Sequence, residues 1–490
     1  FGEWIFYDSN TYITVTMNNP TCTPDPLNVC TLRRTKIIAT IGPASENPRI
    51  MREMILSGMD IARLNFSHGS WEWHCETAQH IRIIAGELNR EIGIMVDIPG
   101  PKLRVLAKSP PREVITGDTI LIAAEDHESS GAIKVGPPDC VPYVYPGDMV
   151  LVGDGAVTLQ VLKPGPLMLT TVTSGGTIKE GMGVVFPGRR PDVPYAGTRF
   201  QEYLKQGAAL RPDYIALSFV GSAQDILDAR SLLMKEGLET LPLIAKIECR
   251  RAVDALSSIA EHADGIMVAR GDLGVELPIE QVPHIQKHII NICARQGIPV
   301  ITATEMLESM VHRGRPTRAE VTDVANAIVD GTDATMLSAE TSVGKHPGQA
   351  VIMMARIAVE TEGHLPYLHM LNERSRWHEQ NVEGVISYRA CFIAEELESP
   401  AIVAFTRSGL TAERVSRCRP RAPILALTPD SEIARRLLLR WGVQPVISDP
   451  IESADELFTK AVKIAQYTGI AQSKDNLVII AGNFSGKEGR

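Results

Sequence analysis

From Thr35 onward, short β-rich apolar runs alternate with longer stretches whose apolar residues recur every three or four positions. Runs of the first kind predict buried strands, and stretches of the second kind predict amphipathic helices. Eight strands are expected, over residues 36–41, 60–65, 93–98, 214–219, 243–247, 265–269, 299–302 and 334–337. Helices are expected between most of them, over 48–57, 71–90, 223–235, 279–295 and 318–329. Eight β-then-α units predict a (β/α)8 TIM barrel.

One interval breaks the rhythm. Residues 105–211 carry alternating apolar positions and the turn pairs Gly117-Asp118, Gly147-Asp148 and Gly153-Asp154-Gly155. A structureless loop of that length is rare in a compact domain. The stretch therefore reads as a small β-barrel lid domain inserted after the third strand, with hinges at Ser109-Pro110-Pro111 and at residues 187–191. The strand-and-helix pattern restarts after about Leu371, with strands expected over 401–405, 424–427, 444–447 and 477–481. That segment reads as a separate open α/β domain. The expected layout is a catalytic barrel over 33–104 and 192–370, a lid over 105–191 and a C-terminal domain over 371–490. Residues 1–32 have neither the basic start nor the apolar core of a signal peptide. The first methionine is Met17, so this reading starts the natural chain there and leaves 1–32 outside the fold.

Composition narrows the function classes. Of the 490 residues, 44% are apolar and 22% charged, and no apolar run reaches the roughly 18–20 residues of a membrane-spanning helix. The balance of 49 basic against 58 acidic residues argues against a nucleic-acid partner, although a local basic cluster still admits anionic substrates. The eight cysteines include no CxxC pair, which argues against a zinc site or a disulfide framework and fits a reducing, cytoplasmic setting.

In a (β/α)8 barrel the chemistry sits at the C-terminal ends of the strands. Here those ends carry Arg63, Asn65, Ser67 and His68 (second strand), Asp97 (third), Lys246 and Glu248 (fifth), Arg270-Gly271-Asp272 (sixth), Thr302 and Thr304-Glu305 (seventh) and Ser338 with Glu340 (eighth). Glu248 and Asp272 come from adjacent strands, and two carboxylates completed by water and phosphate oxygens suit Mg²⁺. Lys246, two residues before Glu248, points to the same side of its strand. A lysine and a guanidinium such as Arg63 beside a metal can hold a phosphoryl group while its charge redistributes. Backbone N–H groups at Gly271 can receive a carboxylate. Any one such ion pair is commonly only structural; six strand ends in agreement are not.

The segments TKIIATIGPAS (35–45), ARLNFSHG (62–69), AKIE (245–248), ARGDLGVE (269–276), ATEMLESM (303–310), PTRAE (316–320) and MLSAET (336–341) resemble the pyruvate kinase family, in register and order from about Thr35 to Asn483. The resemblance implies transfer of a phosphoryl group from phosphoenolpyruvate to ADP, giving pyruvate and ATP. It implies Mg²⁺ (or Mn²⁺) on Glu248 and Asp272, Lys246 stabilising the transition state, and Arg63 holding the phosphate. Gly271, Asp272 and Thr304 would bind the substrate carboxylate, and His68 and Arg104 the nucleotide. Asn65, Ser67, Asp97 and the Ile98 carbonyl would form the family's K⁺ site, and Thr304 with water, helped by Ser338 and Glu340, would protonate the enolate. A homotetramer is also implied, as is a sugar-phosphate or nucleotide effector at Thr406, Arg407, Ser408, Gly409 and Thr411.

This sequence departs from the family pattern in places. Over 97–105 it reads DIPGPKLRV where DTKGPEIRT is common, so Lys102 replaces a glutamate and Ile98 and Val105 replace threonines. An ammonium at Lys102 supplies the charge of K⁺ covalently, so K⁺ is expected to be bindable but not required. Gly221-Ser222 stands where a basic residue is usual, which removes one expected nucleotide contact, and Glu305 stands where glutamine is usual. The chain stops at Arg490, where the family usually continues into a further glycine loop and strand. The alternatives are a catalytically silent effector-binding homologue and a lyase or aldolase of the phosphoenolpyruvate/pyruvate barrel group.

Overall fold

The computed structural model describes residues 13–16, 33–100, 102–107, 111–138, 141–153, 155–189, 195–377, 380–451 and 453–482. Eight parallel strands close into a barrel: Lys36–Thr40, Ile61–Asn65, Gly93–Ile98, Tyr214–Leu217, Leu243–Ile247, Gly265–Ala269, Val300–Ala303 and Ala334–Leu337, the third pairing with the fourth to complete the ring. Their residues are almost all buried on both faces, which is why they read as continuous apolar runs. The fourth strand ends at Leu217, two residues short of the expected end, because Phe219 takes a left-handed conformation (φ 55°).

The inserted segment closes into a second barrel of seven strands, from Leu103–Val105 to Gly183–Val185, around its own core of Val135, Val150, Leu159 and neighbours. Its first strand contains Leu103 and Arg104. The boundary expected after residue 104 therefore lies earlier, and Arg104 belongs to the lid rather than to the large barrel.

The C-terminal domain is a sheet of five strands with Ile402–Phe405 at its centre. Four are the expected ones. The fifth is Ile13–Thr16, which pairs antiparallel with Asn476–Ala481 and covers that edge. This part of the N-terminal segment therefore joins a sheet, contrary to the expectation that 1–32 stays outside the fold. No helix among the described residues is long and apolar enough to cross a membrane.

The C-terminal domain also stoppers the large barrel. Tyr214, the first residue of its strand, accepts a hydrogen bond at its hydroxyl from the Leu439 N–H (3.2 Å) and donates toward the Arg435 and Arg436 carbonyls. Leu438 and Leu439 pack against Ile38, Met95 and Met267 inside the barrel. Beside this plug the buried Asp213 accepts from Arg435 (2.8 Å), Arg82 (2.7 Å) and the Ile94 N–H (2.7 Å). The plug lies at the opposite end of the strands from the polar residues described next. Leu439→Ala, at a side chain only 1% exposed, is expected to cost about 2–5 kcal/mol of stability. Chemical denaturation should record that loss while the kcat of the folded fraction stays at the parental value.

Candidate active site

The strand ends do converge. Arg63, Asn65, Ser67, His68, Asp97, Lys102, Arg104, Ser218, Lys246, Glu248 and Asp272 all line one cleft of about 480 Å³ between the large barrel and the lid.

Asp97 lies at the bottom of this cleft, 1% exposed. Its Oδ2 accepts from Arg63 Nε at 2.8 Å, and its Oδ1 accepts from Lys246 Nζ and Ser218 Oγ, both at 3.2 Å. Burial by itself would raise the proton affinity of this carboxyl. The adjacent Lys246 and Arg63 outweigh it and hold the group below its ordinary range, so it is an anion at neutral pH. Arg63 is fixed a second time, donating from Nη1 to Thr40 Oγ1 at 2.9 Å. Lys246 donates to Ser218 Oγ at 2.7 Å and pairs with Glu248 Oε1 at 3.0 Å. Burial pulls its pKa down, and Asp97 and Glu248 more than reverse this, so the ammonium stays charged.

Glu248 is also buried, and its Oε2 accepts the Phe219 N–H at 2.6 Å. This bond explains why Phe219 tolerates a left-handed backbone: the turn aims its N–H at the carboxylate. The proton affinity of Glu248 is raised by burial and by the charges of Asp272 and Asp97, against the opposing effect of Lys246. A buried carboxylate facing a second one favours a cation between them. Two carboxylates alone form an open donor set, whose chemistry suits an ion that takes few protein ligands and completes its shell with water and phosphate oxygens.

Lys102 does not point to solvent. Its Nζ is 2.7 Å from Asp272 Oδ1 and 5.8 Å from the centre of the Phe219 ring. Thr304 and Glu305 both have positive φ, 67° and 54°. That turn carries Thr304 Oγ1 to within 2.7 Å of the Gly271 N–H, the donor expected to receive a substrate carboxylate. Glu340 is completely buried and accepts from the Leu307 N–H (2.9 Å) and the Ser338 N–H (2.7 Å), while Ser338 Oγ is buried without a partner among the described residues.

The K⁺ set is only loosely assembled. Asn65 Oδ1 accepts from the Ser67 N–H (3.1 Å), the Ile98 carbonyl accepts from the Ser218 N–H (3.3 Å), and both Asp97 oxygens serve Arg63, Lys246 and Ser218. In the C-terminal domain, Thr406 Oγ1 accepts from the Gly409 N–H (2.8 Å), so this hydroxyl closes its own turn, while Arg407 and Ser408 are exposed. Ser218, Arg199 and Tyr203 are among the cleft residues that were not anticipated. Ser218 bridges Asp97 and Lys246, and Arg199 and Tyr203 line the cleft one turn apart on the helix Thr198–Ala209. Their i, i+4 spacing on a helix that leads from the lid hinge was the signal available for the last two.

Comparison with known proteins agrees with this architecture. Residues 32–351 match the family model "Pyruvate kinase, barrel domain", and residues 385–490 match "Pyruvate kinase, alpha/beta domain". The chain is 40% identical over 455 residues to a pyruvate kinase of Clostridium acetobutylicum, covering 92% of this chain and 96% of that one. It is 41% identical over 454 residues to a pyruvate kinase of Agrobacterium vitis, covering 92% and 95% respectively. It is also 41% identical to "Pyruvate kinase 2" of Synechocystis, covering 93% of this chain and 78% of that one.

Proposed function

The chain belongs to the pyruvate kinase family, and on that premise we propose how its residues divide the transfer of the phosphoryl group of phosphoenolpyruvate to ADP, the last step of glycolysis. The observation that carries the assignment is the pair of cations, Arg63 and Lys246, held on one buried anion at the mouth of the barrel. Phosphoryl transfer asks the protein mainly for positioning and for fixed positive charge, with little covalent chemistry. Arg63 has two of its donors committed to Asp97 and Thr40, so the rest of its fork faces the cleft ready for phosphate oxygens. Lys246 lies beside it and stabilises negative charge as it moves from one bridging oxygen to the next.

Glu248 and Asp272 would hold Mg²⁺, or Mn²⁺. When bound, that ion supplies positive charge and a template for phosphate oxygens. Thr304, Gly271 and the backbone at Asp272 receive the substrate carboxylate, and the Gly271 N–H exchanges its Thr304 partner for it. His68 and Arg104 approach the nucleotide from the barrel and the lid, with Arg199 and Tyr203 on the adjoining wall. The enolate left after transfer takes a proton from water ordered by Thr304, with the Ser338 hydroxyl alongside. Glu340 fixes the turns at Leu307 and Ser338 through its two backbone bonds, and its part in this step is positional.

Lys246→Met removes a charge that acts mainly in the transition state. It is expected to lower kcat by about 10²–10³-fold and to change the apparent affinity for phosphoenolpyruvate far less, in an assay of ADP-dependent pyruvate release. Near-parental turnover would remove Lys246 from this role. Absence of any ADP-dependent release by the parent chain would favour the silent-homologue reading.

The reading that this enzyme does not need K⁺ rests on the ammonium of Lys102, which lines the same cleft as Asn65, Ser67 and Asp97 of the K⁺ set. In the structure that ammonium pairs with Asp272, the carboxylate assigned to Mg²⁺, and not with Asp97. The parent is expected to show nearly full activity with Mg²⁺ in buffers whose only monovalent cation is tetramethylammonium. Lys102→Glu should become dependent on added K⁺. Strong activation of the parent by K⁺ would contradict the reading.

A further inference from the structure

Away from the cleft, two thiols meet inside the C-terminal domain. Cys391 lies in the helix Val382–Glu396, and Cys418 caps the C-terminal end of the helix Leu410–Arg417. Both are buried, at 0% and 4% exposure, and both are free. Their sulfurs rest against consecutive carbonyls of one helix turn, Cys391 Sγ 3.7 Å from the Val415 oxygen and Cys418 Sγ 3.5 Å from the Arg414 oxygen. The two side chains also share a hydrogen bond.

The surroundings treat the two sulfurs differently. Burial pushes the Cys391 thiol well up, and its hydrogen bond to Cys418 adds to this, so Cys391 keeps its proton. Cys418 is shifted the other way, first by accepting that hydrogen bond and then, against burial, by the guanidinium groups of Arg374 and Arg417. Arg374 is correspondingly short of compensating charge. It donates to the Arg417 carbonyl at 2.8 Å, and burial with the neighbouring Arg419 lowers its pKa to about 9. A thiolate at Cys418 answers that deficit. Cys418 also borders a small cavity of about 20 Å³, together with Arg374, Trp377, Arg414 and Arg417. That is room for about one water-sized molecule, so a small hydroperoxide is the class of oxidant it suits. A thiol shifted downward beside cationic neighbours, with a second thiol next to it, has the features of a redox-active pair.

We propose that Cys418 and Cys391 form a reversible dithiol–disulfide site, with Cys418 oxidised by a small hydroperoxide and Cys391 resolving the product. The Cys418 thiolate attacks one peroxide oxygen, the S–O bond forms as the O–O bond breaks, and the departing alkoxide or hydroxide takes a proton to leave as alcohol or water. Cys391 then attacks the sulfenic sulfur, the S–S bond forms, and the hydroxide leaves as water with the Cys391 proton. The sum is two thiols and one hydroperoxide giving one disulfide, one alcohol or water, and one water. Both sulfurs lie against neighbouring carbonyls of one helix turn, and closing the bond to roughly 2.05 Å requires the two side chains to rotate toward each other.

The test is to expose the native full chain to hydrogen peroxide, quench it with an alkylating reagent and map the peptides by mass spectrometry. A Cys391–Cys418 linkage should be the first disulfide formed, and dithiothreitol should remove it. In Cys391→Ser, Cys418 should be trapped by dimedone as the sulfenic acid. In Cys418→Ser, Cys391 should remain an alkylatable thiol. Arg374→Met should slow formation of the linkage by roughly tenfold, because it removes a cation that favours the Cys418 thiolate. The proposal is overturned if Cys418 of the native parent chain stays alkylatable while other cysteines oxidise, or if the linkage forms only after denaturation.

Discussion

The active cleft depends on a single buried anion. Asp97 is out of contact with water, and an isolated carboxylate at that depth would be prohibitively unfavourable. It is stable only because Arg63, Lys246 and Ser218 converge on it, and the same contacts fix where the two cations stand. Each cation in turn tolerates its own burial only because Asp97 is there. Breaking one partner out of a buried network of this kind typically costs about 3–5 kcal/mol, so the arrangement is mutually enforced. On the proposed assignment, what it provides to chemistry is charge already oriented before substrate arrives, which needs no rearrangement during transfer.

The scaffold explains why these groups can meet at all. Residues far apart in the chain lie at the ends of neighbouring parallel strands, and the register sets them level: Asn65 opposite Asp97, and Lys246 opposite Met267. The other end of the barrel is closed by Leu438 and Leu439 from the C-terminal domain. The strands are thus packed from below and free to carry polar groups above. The lid supplies Arg104, and Lys102, immediately before the lid's first strand, sends its side chain back to Asp272 on the large barrel. The junction between the two barrels therefore contributes a residue to the cleft.

Much of this was legible in the sequence because it rests on local periodicity. Strands buried on both faces produce unbroken apolar runs, and polar residues at their ends stand out against them, as Arg63, Lys246 and Glu248 do. Other features escaped because they depend on partners distant in the chain. Nothing near Ser218 announces that its hydroxyl joins Asp97 to Lys246. The left-handed turn at Phe219 makes sense only with Glu248 facing it. The pairing of Ile13–Thr16 with the last described strand is an edge contact between the two ends of the chain, and local patterning carries no sign of it. Arg104 was assigned to the wrong barrel because a three-residue strand is too short for its alternation to register. The contact between Lys102 and Asp272 adds a position to a residue whose type alone had suggested a role.

The central claim is that the cations act because they are preorganised and not merely because they are positive. Arg63→Lys tests this most directly. Lysine keeps the charge but cannot donate to Asp97 and Thr40 from a rigid fork and still present two further donors to a phosphate. The account predicts that kcat falls by on the order of 10²-fold in a variant that remains folded and still binds phosphoenolpyruvate. A lysine variant turning over at close to the parental rate would contradict it, because charge without fixed geometry would then suffice.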